Sequence, residues 1–275
     1  MSAMVQIEPE IAAAIVESDA RYFEMGVEVL SLPGCVLAWA PGLTNLAAGC
    51  VVQRIDTAAA EADPQAWLEL VEQEVQRVGG RRARLYLREA TPVLEGALLR
   101  SGYRRRKETV FVNPLSQQNF PSQGSGANQG VILREVLSPD DWKLKRAVHE
   151  SEEEGADGYR NQTGQWVELI ERKWRTGQKR CFSIQRGAEL CGSIGILECG
   201  RGWRVKNVMV LPARQGQGIG LDALGEVARM AASAGKAYLG VLGIDGHAGS
   251  SLYKQAGYYA ASALDEWTKN LKDEG

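Results

Sequence analysis

Three glycines stand at every second position in Gln215-Gly216-Gln217-Gly218-Ile219-Gly220, directly behind the apolar run Val208-Met209-Val210-Leu211 and Pro212. Leu221, Leu224, Val227, Ala228 and Ala231 then recur at helical spacing. A strand ending at a proline, a turn without side chains and a helix start together read as an anion cradle. The first N–H groups of a helix have no internal partners and lie at the positive end of its dipole. Glycines ahead of that turn let the chain curl so that several of these groups converge on one phosphate. Three chemistries use such a turn. A P-loop requires G-x-x-x-x-G-K-[ST], and no Lys-Ser or Lys-Thr follows a glycine here. A dinucleotide fold uses G-x-G-x-x-G with an acid further on; the spacing here is different, although Asp245 stands near the end of the next strand. The third pattern is [Q/R]-x-x-G-x-[G/A] behind a strand ending V-x-P, and Val210 to Gly220 satisfies it without a gap. The bland alternative is a tight strand–helix connection with no ligand.

The third pattern resembles the acyl-CoA pyrophosphate loop of the GNAT acetyltransferase superfamily. The likeness continues in "GHAGSSLYKQAGY", which is similar to that family's N-x-x-A-x-x-x-Y-x-x-x-G-F helix, with Tyr253, Gly257 and Tyr258 in register. Gly246 stands where asparagine is usual and Gly249 where alanine is usual. The resemblance runs from about Val131 to Leu271 and implies acetyl-CoA as cosubstrate, direct attack by an amine in a ternary complex, and no metal. It further implies that the main chain of Val208, Met209 and Val210 bonds the pantetheine arm. The N–H groups from Gln215 through Gly216, Gln217, Gly218 and Ile219 to Gly220 would hold the diphosphate, and Tyr253 would protonate the departing sulfur. A phenol with a pKa near 10 carries its proton at neutral pH and can give it to a thiolate. Without the family, Tyr253 reads as an aromatic packing a short helix onto a sheet. The base that deprotonates the acceptor stays open. Glu189 and Glu198 are acids near the right strands, with Glu198 the candidate, and Lys206 occupies a place where an acid is common.

The surrounding elements must position these residues. Strand "VILREVL", a helix from about Asp140, a helix at "QWVELIERKW", the hairpin "RCFSIQRGAELCGSIGIL" and strand "WRVKNVMVL" precede the turn; strand "AYLGVLGI" follows its helix. A meander followed by strand–helix alternation argues for an α/β fold of the α+β, mixed-sheet kind. The first half carries a related ending. "ARLYLREATPVLEGALLRSGYRRRKETVFV" and "AYLGVLGIDGHAGSSLYKQAGYYAASALDEWT" place Gly102-Tyr103 and Gly257-Tyr258 in the same pattern, 155 residues apart. In both, glycine follows the helix where a left-handed cap is wanted. The expectation is two GNAT-like domains, residues 1–112 and 131–275, each a mixed sheet flanked by helices. The Ser-, Gln-, Asn-, Gly- and Pro-rich segment 113–130 is the linker. The first domain reads as degenerate. "DTAAAEAD" has no glycine where the turn should be, and Leu98 stands 155 residues before Tyr253.

Composition bounds the rest. The 275 residues carry 32 basic and 34 acidic side chains, net −2, so nothing global favours nucleic acid or an anionic membrane. No apolar window is long enough to span a bilayer, and the start "MSAMVQIEPEIAAAIVESDARYFEMG" has no basic n-region or cleavage pattern. Five cysteines at irregular spacing, with no C-x-x-C, fit buried thiols in the cytoplasm better than disulfides or zinc. Arg104-Arg105-Arg106-Lys107 reads as a solvated strand end, and Trp39, Trp142, Trp166 and Trp203 as core or cleft residues. His149 reads as structural and His247 as an exposed loop residue. Glu152-Glu153-Glu154 and Asp157 suit either a solvated helix end or a cationic acceptor. The partner expected is a small-molecule or protein amine, and a homodimer is compatible with the sequence. The rival readings are a non-catalytic acyl-CoA-binding regulatory module and, on the glycine turn and Asp245, a nicotinamide-dependent oxidoreductase.

Overall fold

Eleven strands and eight helices make up the computed structural model of the protein, which describes residues 7–88, 91–115, 130–151, 162–244 and 246–271. Helix α1 (Pro9–Glu24) leads to strands β1 (Glu28–Leu32), β2 (Cys35–Trp39) and β3 (Cys50–Gln53), then α2 (Thr57–Ala62) and α3 (Pro64–Arg77). Strand β4 (Arg82–Leu87), α4 (Pro92–Arg100) and β5 (Arg104–Pro114) complete the first half. The second half runs β6 (Val131–Glu135), α5 (Pro139–Glu150), α6 (Thr163–Arg175), β7 (Lys179–Arg186), β8 (Glu189–Cys199) and β9 (Gly202–Val210). A 3-10 turn at Pro212–Arg214 then precedes α7 (Ile219–Ser233), β10 (Tyr238–Ile244), α8 (Ala248–Gln255) and β11 (Tyr259–Asn270). The segment 116–129, most of the expected linker, lies outside the described residues, as do Glu152-Glu153-Glu154, Asp157 and Asp245.

The chain divides into two compact units that are not contiguous in sequence. The larger comprises Met1–Ser18 and Val110–Ala261, the smaller Asp19–Thr109 and Ser262–Gly275. Each is a mixed β-sheet flanked by helices. In the larger unit the strand order is β6, β7, β8, β9, β10 and then the second half of β5. Pairing is antiparallel from β6 to β9 and parallel between β9 and β10. In the smaller unit β1, β2 and β3 form an antiparallel meander, β3 and β4 pair in parallel, and β11 lies antiparallel on β4 from Asp265↔Leu87 to Asn270↔Arg82. A linear cut at 113–130 therefore differs from the compact units at both ends of the chain. The N-terminal part of α1 belongs to the larger unit because Ala12 and Ile15 pack with Val110, Val112 and Tyr238. Gly240 admits this approach, since a Cβ there would collide with Ile15.

The larger unit packs a core on both faces of its sheet. Ile219, Leu224 and Val227 of α7 meet Phe182, Ile194 and Val205 on one side; Trp142 of α5, Val167 and Ile170 of α6 meet Cys181 on the other. In the smaller unit Trp67, Leu68 and Val71 of α3 and Leu94 and Leu98 of α4 cover Leu37, Val52 and Leu85. The repeated endings share a backbone angle and a hydrogen bond. Gly102 and Gly257 both take left-handed φ, +85° and +81°. Tyr103 N donates to Leu98 O and Tyr258 N to Tyr253 O, each at 3.0 Å, so Leu98 occupies the place of Tyr253.

Helix α5 begins at a capping box written in Ser138-Pro139-Asp140-Asp141. Asp141 N donates to Ser138 Oγ at 3.2 Å, while Asp141 Oδ2 accepts from Ser138 N at 2.9 Å and Leu137 N at 3.1 Å. The Ser138 hydroxyl, which donates to Asp141 Oδ2 at 2.7 Å, and then the Leu137 and Ser138 N–H groups hold the Asp141 carboxyl below its ordinary value of 3.8. Ser138→Ala is expected to cost about 1 kcal/mol in urea unfolding at pH 7. Because the folded pKa is depressed, the contribution of Asp141 is fully present above its unfolded value and is lost as pH falls through the folded one. The stability gap between wild type and Asp141→Asn should therefore narrow from pH 5 to pH 2.

Candidate functional site

The glycine turn separates into two jobs. Gly216 and Gly218 take φ of +73° and +77° with open space where a Cβ would stand, so backbone conformation alone demands glycine there. Gly220 is different. A Cβ on it would lie 3.1 Å from Leu252 Cδ2 and 3.7 Å from Val210 Cγ2, so it is the residue that seats α7 against α8 and β9. Gly218 is the N-cap of α7 and, having no side chain, supplies no capping bond; the first helical bond is Asp222 N to Gly218 O at 3.0 Å. The N–H groups of Ile219, Gly220 and Leu221 thus have no partner within the helix. Gln215 to Gly218, just ahead of them, are exposed. Gln215 Nε2 donates to Val210 O and Gln217 Nε2 to Ala213 O, both at 3.1 Å, which folds the two amide side chains back along the turn. The acid in the first turn, Asp222, is engaged by Arg186 at 3.1 Å, and Arg214 by Glu189 at 2.8 Å.

The smaller unit shows the contrast. After β3 the chain enters α2 with Asp56 as N-cap, its Oδ1 accepting from Ala58 N at 3.0 Å and Ala59 N at 3.4 Å. Asp63 does the same for α3, accepting from Ala66 N at 3.1 Å. The helix ends after β3 already hold carboxylates of their own chain, whereas the end after β9 holds none.

Strand β9 is irregular ahead of the glycine turn. Its register on β8 pairs Gly195 with Lys206 and Ser193 with Met209, so Asn207 and Val208 together face Ile194. That is a β-bulge, and Asn207 takes φ of +55° within it. The parallel pairing of β10 on β9 covers Leu239↔Trp203 and Gly240↔Arg204, ahead of the bulge. From Lys206 to Val208 the strand is half-exposed, after four buried residues. Met209 and Val210 pair with Ser193 and Gly192 of β8, the β10 pairing ends at Arg204, and Val210 O accepts from Gln215 Nε2.

Tyr253 lies on α8 and packs on the same core cluster as Val208 and Val210. Its ring packs against Phe111 and Tyr258, both at 5.9 Å between centroids, and lies close over Gly243 of β10, where a Cβ would be 3.2 Å from Cε2. Burial raises its pKa, with Arg204 of β9 opposing, so the phenol is held as a neutral proton donor. Gly249, where alanine is usual, would place a Cβ 3.8 Å from Tyr253 Oη, an ordinary contact, so packing there does not require glycine.

Other expected residues fall elsewhere. Glu198 pairs with Trp203 at the opposite end of β9, roughly 16 Å from Val208 at 3.3 Å per residue. Its carboxylate accepts from Trp203 Nε1 at 2.8 Å and Lys236 Nζ at 2.6 Å, so both oxygens are engaged. His247 is exposed at the start of α8, and His149 is pushed down to about 3 by burial, then by Lys145 and Lys179, so it stays neutral. Trp142 and Trp203 are core residues. Arg104 to Lys107 are exposed, with Arg105 on Glu95 and Asp265 and Arg106 on Glu266. All five cysteines are buried thiols, and burial pushes Cys35 and Cys50 up to about 12. Sequence reasoning missed the layer of enclosed basic side chains on the α5 and α6 face: Lys145, Lys173, Lys179 and Arg204 are each at most 1% exposed. The one written signal is Gly195 inside a strand, a mark of close approach. Among the described residues no group of His, Cys, Asp or Glu could hold a metal ion, and no helix is long and apolar enough to cross a membrane.

Residues 145–258 match the sequence model of the Acetyltransferase (GNAT) family. No curated protein matches the chain. Among solved structures, a GCN5-related N-acetyltransferase from Kribbella flavida is similar at 14% identity and a TM-score of 0.63, covering 99% of this chain and 98% of its own. A functionally unknown conserved protein from Staphylococcus epidermidis is similar at 12% identity and 0.69, covering 90% and 95%. A tandem GNAT protein from the clavulanic acid biosynthesis pathway is similar at 13% identity and 0.57, covering 88% and 79%. At such identities these structures speak for the fold alone: residues 145–258 match the Acetyltransferase (GNAT) family, and the fold of the chain is similar to that of a tandem GNAT protein.

Proposed function

We propose that the protein is an acetyl-CoA-dependent N-acetyltransferase that passes an acetyl group to an amine by direct attack in a ternary complex. The observation that carries this reading is the uncapped N-terminus of α7 behind an exposed, left-handed glycine turn, with the split edge of β9 leading into it. The residues fit the cosubstrate on chemical grounds. The N–H groups of Gly216, Gln217, Gly218, Ile219 and Gly220 suit a diphosphate, whereas that of Gln215 donates to Pro212 O at 3.2 Å. The main chain of Val208, Met209 and Val210 suits an amide-bearing arm lying along it as an added strand. Acetyl-CoA supplies a thioester carbon open to a neutral amine. As the new C–N bond forms and the C–S bond breaks, Tyr253 Oη donates its proton to the sulfur, and the amine gives up a proton to a base or to water. All five cysteines are buried, which supports a transfer without a covalent enzyme intermediate.

The acceptor is read no further than a small-molecule or protein amine. The division of the sequence into repeats 1–112 and 131–275, joined by 113–130, belongs to the same proposal, with the first repeat a degenerate domain that has no cradle. Buried thiols without disulfides support a reducing, cytoplasmic setting. A non-catalytic acyl-CoA-binding module is the second reading, favoured by the engagement of Glu198 with Trp203 and Lys236. Release of coenzyme A thiol over a panel of amines separates the two: turnover with any amine supports the enzyme, and binding without turnover across the panel supports the module.

Acetyl-CoA is expected to bind wild type in isothermal titration and to bind Gly218→Glu at least tenfold more weakly. A Cβ in left-handed backbone costs roughly 1–2 kcal/mol, and the carboxylate adds repulsion to the diphosphate. Equal affinity in the two proteins would remove the cradle. Tyr253→Phe should lower kcat about 100-fold with cofactor affinity within about twofold, the size of a lost general acid. In ultraviolet difference titration, the tyrosinate absorbance lost in Tyr253→Phe should belong to a group ionising above pH 10, because burial disfavours the phenolate.

A further inference from the structure

Lys179 opens β7 yet ends its reach on β9. Its side chain crosses β8 at Gly195, where a Cβ would stand only 2.9 Å from Lys179 Cε, and its Nζ donates to Asn207 Oδ1 at 2.9 Å. The side chain is 1% exposed. Asn207 is the left-handed residue of the β9 bulge, one position before Val208. An asparagine tolerates φ of +55° better than most residues but does not select it. Something has to hold the strand in that shape, and the amine from β7 is the group in place to do so.

Building on the acyl-CoA reading above, we infer that Lys179 is a positioning residue for the cosubstrate: by fixing Asn207 it keeps the bulge formed and the Val208–Val210 edge turned away from β10, where the pantetheine arm can pair with it. Gly195 is part of the device, since any larger residue would block the path of the lysine. The groups facing Lys179 are Lys145 and His149 from α5, Cys181 from its own strand, and Lys206 and Arg204 from β9; Lys173 of α6 is enclosed as well. Burial first, and then Lys145, Lys206 and Arg204, lower its pKa to about 7, with Cys181 opposing. A charged donor makes a hydrogen bond about twice as strong as a neutral one. The hold on Asn207 therefore weakens as pH rises through about 7.

The test is isothermal titration of coenzyme A into the full chain at pH 6 and pH 8.5, for wild type, Lys179→Met, Asn207→Gly and the double variant. Asn207→Gly keeps the left-handed backbone available while deleting the acceptor, so it carries the test if Lys179→Met fails to fold. Each single variant is expected to bind about tenfold more weakly at pH 6, and the double variant no more weakly than either single one. Wild type should lose affinity between pH 6 and pH 8.5 by a larger factor than Asn207→Gly, in which the titration of coenzyme A itself is the remaining contribution. Folded variants that bind within twofold of wild type, or losses that add in the double variant, would overturn the role of Lys179 and leave the acyl-CoA reading standing. Wild type that does not bind coenzyme A would overturn both.

Discussion

The N–H groups at the start of α7 are the constraint on which the site is built. Buried, such groups would be costly without partners; capped by a side chain, they would be satisfied and closed to a ligand. At α7 they are left without a side-chain cap behind an exposed turn, although Ile219 and Gly220 are themselves buried residues. Gly218 contributes backbone and no cap, Gly216 and Gly218 accept the left-handed turn, and the arginines nearby are engaged by Asp222 and Glu189 beside the turn. The smaller unit takes the other course at the corresponding place. Asp56 and Asp63 bring carboxylates to the helix starts after β3, and a helix end that holds an anion of its own chain has little left for a phosphate.

The sheet continues the same logic. A strand paired on both sides has no main-chain groups to offer, so an extended ligand needs a place where pairing lapses. Strand β9 provides one by bulging at Asn207 after its last pair with β10 at Arg204. Gly192 on β8, opposite Val210, has no room for a Cβ against the Met209 carbonyl, which draws β8 close on the side that remains paired. The shape of this strand is thus set from the β8 and β7 side, through Gly192, Gly195 and Lys179, rather than from β10.

Local chemistry was legible in the sequence and long-range partnership was not. The turn, the helix after it and the glycine–tyrosine endings were readable because each depends on residues within a few positions, and Gly102 and Gly257 indeed take the left-handed cap. The separate role of Gly220 was not, because its neighbour Leu252 lies more than thirty residues on. Strands β5 and β11 each divide between the two units, and the start of α1 belongs with the larger one; an alternating pattern states that a segment is a strand and never which sheet receives it. Glu198 was plausible as a base from its place in the meander, but only the register shows it at the far end of β9. The enclosed lysines defy composition altogether, since lysine is ordinarily a surface residue.

The most direct test of the central claim follows the glycine amides themselves. In a heteronuclear spectrum of protein labelled with 15N at glycine, added coenzyme A should shift the signals of Gly216, Gly218 and Gly220 most, and leave Gly34 and Gly102 of the smaller unit in place. The largest shifts arising at other glycines, with the turn unmoved at saturation, would contradict it.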